Sequence, residues 1–243
     1  MTTLFISDLH LELTRPAITA LFLDFLERRA QQAGALYILG DLFEAWIGDD
    51  DDAELGRTVA AALRRLTDQG VPTYFLHGNR DFLLGERFAA ASGIQLLPES
   101  AVIELAGERV LLLHGDTLCT DDVEYQTFRA QVRDPAWRAR TLALPLAQRQ
   151  ALAGQLRETS RQAIQQKAAA ITDVNPTAVD RALRTHVVRR LIHGHTHRPA
   201  IHDWTLDGQP ARRAVLGDWY DQGSVLVCDA AGWRLEPLPG PGA

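Results

Sequence analysis

Five short apolar runs in this chain each give way, within a residue or two, to a cluster of glycine, carboxylate, histidine or asparagine. The run Leu36 to Leu39 has the length and composition of a buried strand. Gly40 lets the backbone turn, and Asp41 then projects from the strand's carboxyl end, where open α/β sheets place their ligands. Leu4-Phe5-Ile6 runs into Ser7-Asp8-Leu9-His10, and Thr73 to Leu76 into His77-Gly78-Asn79-Arg80-Asp81. Val110 to Leu113 runs into His114-Gly115-Asp116, and Leu191-Ile192 into His193-Gly194-His195-Thr196-His197. One rim of one sheet is expected to gather all these groups, with Asp41 central enough to bridge two metals.

Between these runs the chain alternates strand and helix. Leu21, Phe22, Phe25 and Leu26 give Ala17 to Gln32 a helical spacing, closed by Gly34. Ala53 to Asp68, closed by Gly70, and the shorter Gly85 to Ser92 are further helices. Val102 to Leu105 and Val110 to Leu113 form a hairpin through Ala106-Gly107-Glu108-Arg109. Ala214 to Leu216, Ser224 to Cys228 and Trp233 to Leu235 are closing strands, and the tail from Pro237 is frayed. Asp49 to Asp52 is expected to be a solvated loop. Regular alternation predicts a layered α/β core of β-sheets flanked by helices.

The alternation breaks between Thr120 and His186, where an Ala-, Gln-, Arg- and Leu-rich stretch has helical propensity. The expected organisation is a core of residues 1–120 and 187–243, with 121–186 a helical insertion capping the rim. From Arg129 to Lys167 this insertion carries eight basic side chains and two acids, against a net charge of −6 for the whole chain. That overall balance argues against a nucleic-acid binder. Two cysteines, Cys119 and Cys228, give no disulfide framework and fit a reduced setting. The first strand begins almost at Met1, which leaves no room for a signal peptide. No apolar run approaches the roughly 20 residues that span a bilayer.

Asp8 and His10 are two apart, so in extended chain they point to one side, and His195 and His197 repeat that geometry. With Asp41, Asn79 and His114 they make seven oxygen and nitrogen donors and no thiolate. Such a set suits two divalent ions of the Mn²⁺, Fe²⁺, Co²⁺ or Zn²⁺ kind, not a structural cysteine site. Cys119, although inside a motif, reads as a small packing residue.

The five blocks resemble, in order, the pattern of the calcineurin-like metallophosphoesterases: Asp-x-His, Gly-Asp, Gly-Asn-His-Asp/Glu, a later His, then Gly-His-x-His. The resemblance implies one ion on Asp8, His10, Asp41 and His197, and a second on Asp41, Asn79, His114 and His195. Two such ions about 3.5–4 Å apart activate a shared water and clamp phosphate oxygens. This chain departs from the pattern at Arg80, where phosphomonoesterases of the superfamily carry histidine. An arginine cannot protonate a leaving group. A pyrophosphate bond needs no such proton, because its leaving group is a phosphate monoester with a second pKa near 6. Arg80 is free to grip a phosphate oxygen, its other reading being an ion pair with Asp81.

Longer stretches, from Ser7 to Leu11, Gly40 to Asp50, His77 to Leu83, His114 to Asp122 and His193 to Pro199, are similar to the UDP-2,3-diacylglucosamine pyrophosphohydrolase family of lipid A biosynthesis. By this resemblance, water attacks the α-phosphorus of UDP-2,3-diacylglucosamine to give UMP and 2,3-diacylglucosamine 1-phosphate. The implied cofactors are two Mn²⁺, and the implied place is peripheral, on the cytoplasmic face of a bacterial inner membrane; the basic insertion is expected to meet an anionic membrane surface, and the chain to be a monomer. Asp41, Asn79, Arg80 and His195 would be catalytic. Asn79, Arg80, Asp122, Ser160, Lys167 and His195 would contact substrate. Position 164, commonly asparagine in the family, is Ile164 here, so a polar contact there is not expected. Arg157 lies one turn before Ser160 on the same helical face. Trp46, Phe128, Trp137, Leu142, Leu144 and Leu146 either line an acyl cleft or hold the insertion to the core. Two other readings remain open: a generic nucleotide phosphodiesterase, and a non-catalytic scaffold of the same shape, which would carry little transition metal.

Overall fold

The computed structural model describes residues 1–166 and 171–240, without the side chains of 161 and 163–166. Its first half alternates as expected: β1 (Thr3–Ile6), α1 (Pro16–Arg28), β2 (Ala35–Ile38), α2 (Glu54–Asp68), β3 (Thr73–Phe75), α3 (Glu86–Ser92) and β4 (Gln95–Leu96). The hairpin follows as β5 (Ser100–Leu105) and β6 (Glu108–Leu113). The insertion contributes α4 (Val123–Arg133), α5 (Pro135–Leu142) and α6 (Leu146–Gln166), and α7 (Pro176–His186) leads into β7 (Arg190–His193). The chain closes with β8 (Ala200–Leu206), β9 (Gln209–Val215), β10 (Gly223–Asp229) and β11 (Gly232–Leu238).

The strands do not form one sheet. They divide into a six-stranded sheet, β11-β10-β1-β2-β3-β4, and a five-stranded sheet, β5-β6-β7-β9-β8. The expectation that the rim of one sheet gathers the donors is corrected: the β5–β6 hairpin starts a second layer, in which β6 pairs β7 and β7 pairs β9 in parallel. Side-chain alternation then builds the layers. In β1, Leu4 and Ile6 face α1 and α2, while Phe5 faces the other sheet. In β6, Val110 and Leu112 meet Phe5, Leu39, Leu76 and Ile192 between the sheets. Leu111 and Leu113 turn outward to Val179 and Leu183 of α7, so α7 packs on the second sheet. The result is four layers, helix–sheet–sheet–helix.

Burying each of these Leu, Ile and Phe side chains contributes about 1.5–3 kcal/mol. Trp219, fully buried, meets Phe22 and Phe25 edge-on and donates its indole N–H to the Ser224 carbonyl. The acidic run after Gly48 is not a simple solvated loop. Asp49 accepts the N–H groups of Gly85 and Phe88 at the start of α3 and the indole N–H of Trp46. Asp50 pairs with Arg149 of α6.

Candidate metal centre

All seven donors lie at the carboxyl ends of strands, three strands from one sheet (β1, β2, β3) and two from the other (β6, β7). Their tips meet across the seam. The Asp8 N–H donates to the Gly40 carbonyl (3.1 Å), the His10 N–H to the Asp41 carbonyl (2.9 Å), and the Gly194 N–H to the His114 carbonyl (2.7 Å). Glycine permits this closeness. A Cβ on Gly78 would lie 2.0 Å from Asp41 Oδ1, and one on Gly194 would lie 2.3 Å from Asp8 Oδ2. Asp8, His10, Asp41, His195 and His197 all have positive φ, between 49° and 70°. For residues with a Cβ this conformation costs on the order of 1 kcal/mol each.

The two aspartates are held alike. Asp8 Oδ2 accepts the Ser7 hydroxyl (2.6 Å) and the His195 N–H (2.9 Å), whereas Oδ1 is buried with no hydrogen-bond partner. Asp41 Oδ1 accepts the Arg80 N–H (2.8 Å), leaving Oδ2 at 3.8 Å from His10 Nε2 and 3.7 Å from His114 Nε2. His10 Nδ1 lies 2.9 Å from Glu44 Oε2, and His114 Nδ1 lies 2.8 Å from the Leu39 carbonyl oxygen. His197 Nδ1 lies 3.3 Å from Asp218 Oδ2. These partners only accept, so in the tautomer that ligates a metal each ring carries its proton on Nδ1 and turns a bare Nε2 inward.

Lone pairs therefore face lone pairs. His10 Nε2 is 3.4 Å from His197 Nε2, and His197 Nε2 is 3.4 Å from Asp8 Oδ1. Asn79 Oδ1 is 2.9 Å from both His114 Nε2 and His195 Nδ1. Ligand atoms at right angles about 2.1 Å from one cation are about 3 Å apart, so the donor set and its spacing fit metal ions. Asp8, His10 and His197 form one compact trio, and Asp8, Asp41 and His114 another. Asp8 shares both trios, while Asp41 Oδ2 sits midway between a histidine of each set.

The charges agree. Burial alone would push the Asp8 carboxyl up, but His197, His114 and His10 outweigh it and hold the group far below its usual range. Burial pushes His114 down, yet Asp41, Asp8 and Asp116 raise it above an ordinary histidine. His195, buried and beside His114, falls to about 4. Asp81 rises to about 6 through burial and the nearby Asp41. Its oxygens accept the N–H groups of Gly78 (2.9 Å) and Leu42 (2.7 Å), so it is a strut between two motif loops, not a partner for Arg80. Arg80 Nη1 instead lies 4.0 Å from Glu44 Oε1, and its Nε has no partner among the described residues.

The other expected substrate contacts are more scattered. Asp122 caps α4 by accepting the Tyr125 N–H (3.1 Å). Ser160 is half-buried and Arg157 exposed on α6, with the Arg157 charge felt at Glu44. Lys167 and the side chain of Ile164 lie outside the described residues. Trp46 and Trp137 pack with Phe82, Leu83 and Val132 between core and insertion, whereas Phe128 and Leu142 are exposed. Glu44 and Asp218 were not singled out from sequence. Asp218 had a signal, because Leu216-Gly217-Asp218 repeats the layout of an apolar run ending in glycine and a carboxylate.

Known proteins share this arrangement. The family description for calcineurin-like phosphoesterase matches residues 1–199. A UDP-2,3-diacylglucosamine hydrolase of Stenotrophomonas maltophilia is 57% identical over 245 residues, covering 98% of this chain and 99% of that protein. One of Escherichia coli is 58% identical over 239 residues, covering 98% and 100%. In fold, a hypothetical protein of Pyrococcus horikoshii superposes with a TM-score of 0.51 at 10% identity, over 99% of this chain and 89% of that one. With its two-sheet core and its converging donors, the chain belongs to the calcineurin-like phosphoesterase family.

Proposed function

We propose that this protein hydrolyses the pyrophosphate bond of UDP-2,3-diacylglucosamine, releasing UMP and 2,3-diacylglucosamine 1-phosphate. The identity of nearly three-fifths with relatives named for that substrate, along almost their whole length, carries this reading. Asp8, His10, Asp41 and His197 would hold one divalent ion, and Asp41, Asn79, His114 and His195 the other, with Mn²⁺ the proposed metal. When bound, the pair lowers the pKa of a water and neutralises phosphate oxygens.

The chain's own groups do the rest. Asp41 is positioned for both ions because the Arg80 N–H fixes one oxygen and leaves the other between His10 and His114. The Arg80 guanidinium, with an unpartnered Nε beside the site, would grip the diphosphate and steady the departing phosphate. It donates no proton, and a leaving group ionised near pH 6 needs none. Asp122, at the start of α4, and Arg157 and Ser160, on α6, would contact the nucleotide and sugar. The exposed Phe128 and Leu142 offer apolar surface to acyl chains. In this reading the insertion, residues 121–186, covers the substrate, and its α7 packs on the second sheet. Among the described residues no helix is long and apolar enough to cross a membrane. A peripheral position at an anionic inner-membrane surface, reached by a monomer, rests on the basic insertion.

Purified protein supplied with Mn²⁺ and UDP-2,3-diacylglucosamine should release UMP, and a chelator should stop it. Equal turnover of a short-chain nucleotide diester would replace the lipid substrate with a nucleotide one.

A further inference from the structure

His10 and His197 fall on the same candidate ion, and each is backed by a carboxylate. Glu44 Oε2 lies 2.9 Å from His10 Nδ1, and Asp218 Oδ2 lies 3.3 Å from His197 Nδ1. Across the seam, His114 has only a neutral carbonyl oxygen, that of Leu39, behind it. Asn79, in the same set, brings no charge. Asp8 and Asp41 reach both sets, so the difference lies behind the imidazoles: a carboxylate stands behind His10 and behind His197, and a carbonyl oxygen behind His114.

Both carboxylates are held in place by the loop that carries Asp8 and His10. The Glu44 N–H donates to the Leu11 carbonyl (3.1 Å), and Leu11 bridges to Phe43 as a short parallel pair. The Trp219 N–H, next to Asp218, donates to the Asp8 carbonyl (3.0 Å). Tyr220 then lies parallel to the His10 ring at 5.4 Å. Main-chain bonds thus hold the backbone beside both carboxylates to the loop that carries Asp8 and His10. A carboxylate behind a ligating imidazole sets the ring's tautomer and orientation and strengthens it as a donor.

We propose that Glu44 and Asp218 are positioning residues, acting through His10 and His197, which make the ion on Asp8, His10, Asp41 and His197 the tighter bound of the two. This rests on the two-ion reading above but not on the substrate.

The test is a titration of Mn²⁺ into metal-free protein, read by calorimetry and by electron paramagnetic resonance, with no substrate present. The wild-type chain should show two classes of site separated by about tenfold or more in affinity. Glu44→Ala and Asp218→Ala should each weaken the tighter class by about 10- to 100-fold and leave the weaker class unchanged. Glu44→Gln keeps an oxygen that accepts the His10 N–H, so it should recover most of that loss, which a general fault in folding would not allow. His114→Ala should remove the weaker class. Two equal sites in the wild-type chain, wild-type affinity in both alanine variants, or weakening confined to the looser class would each overturn the proposal. A chain that ignores the diacyl nucleotide yet titrates as stated would lose its proposed substrate and keep this asymmetry.

Discussion

Asp41 and Arg80 are joined through the backbone rather than through their side chains. The Arg80 N–H reaches Asp41 Oδ1, and that bond survives any change of the arginine side chain. Arg80→Ala should therefore keep the wild-type content of divalent metal and lose turnover, measured as metal content beside UMP release; loss of metal would move Arg80 into the structure of the site. Asp41→Ala removes the group shared by both ions, so turnover should vanish, and more than about a tenth of the wild-type rate would contradict the bridging role. Burial pushes both Cys119 and Cys228 up to about 12, so neither forms appreciable thiolate at pH 8. A thiol reagent should label them only after unfolding, and rapid labelling of native Cys119 would reopen its role. At this scale the sequence was informative wherever a ligand sat beside a glycine in a motif. Glu44 was hidden because its partner, His10, lies in another segment and no local spacing announces the pair.

The insertion is fastened to the core by charged anchors. Asp116 accepts the Tyr125 hydroxyl (3.0 Å) and Arg129 Nε (2.7 Å), while Gln126 donates to the Asp116 carbonyl (2.7 Å). Arg133 reaches the Gly78 carbonyl (2.8 Å), and Arg149, almost wholly buried, donates to the Ile47 and Leu144 carbonyls and to Asp50. Breaking such a buried pair costs about 3–5 kcal/mol, because the remaining charge stays desolvated. Arg129→Met should lower stability at pH 7 by about 3 kcal/mol, seen as an earlier denaturant midpoint. Burial pushes the Asp116 carboxyl up, but His114 and Arg129 outweigh that and depress it. A depressed acid stabilises above its unfolded pKa, about 4, and loses that contribution as pH falls below it. The gap between wild type and Arg129→Met should therefore narrow in acid; a constant gap would mean that packing, not charge, holds α4. Helices were legible here from composition, but their anchors join residues far apart in the chain. The strands β4 and β8 escaped notice for another reason. β4 has two residues, and β8 is an edge strand whose His202 and Asp203 are exposed, so neither carries an apolar period.

Across the whole molecule, the seam between the sheets is both core and active surface. The apolar pairing of Phe5 with Val110 and Leu112 sets the distance at which the loop tips meet. Strand and helix order was readable because each element has its own hydrophobic period. Which strands join which sheet was not, since a hairpin can extend the parallel run, as β10 and β11 do beside β1, or open a second layer, as β5 and β6 do. Manganese should bind only where the seam is closed, so an ion held at 100 times its dissociation constant adds about 2.7 kcal/mol. For a chain of this size that raises the melting midpoint by about 5–10 °C, reversed by chelator. An unmoved midpoint would mean that the donors do not gather an ion in the native state.

The order of the donors along the chain has its own consequence. A ribosome delivers Asp8, His10, Asp41, Asn79 and His114 first, then the whole insertion, and only afterwards His195 and His197. A growing polypeptide can bury apolar side chains early, but its ion pocket stays open on one flank until translation passes β7. Truncated products would thus be incapable of chemistry, and competence arrives in a single late step.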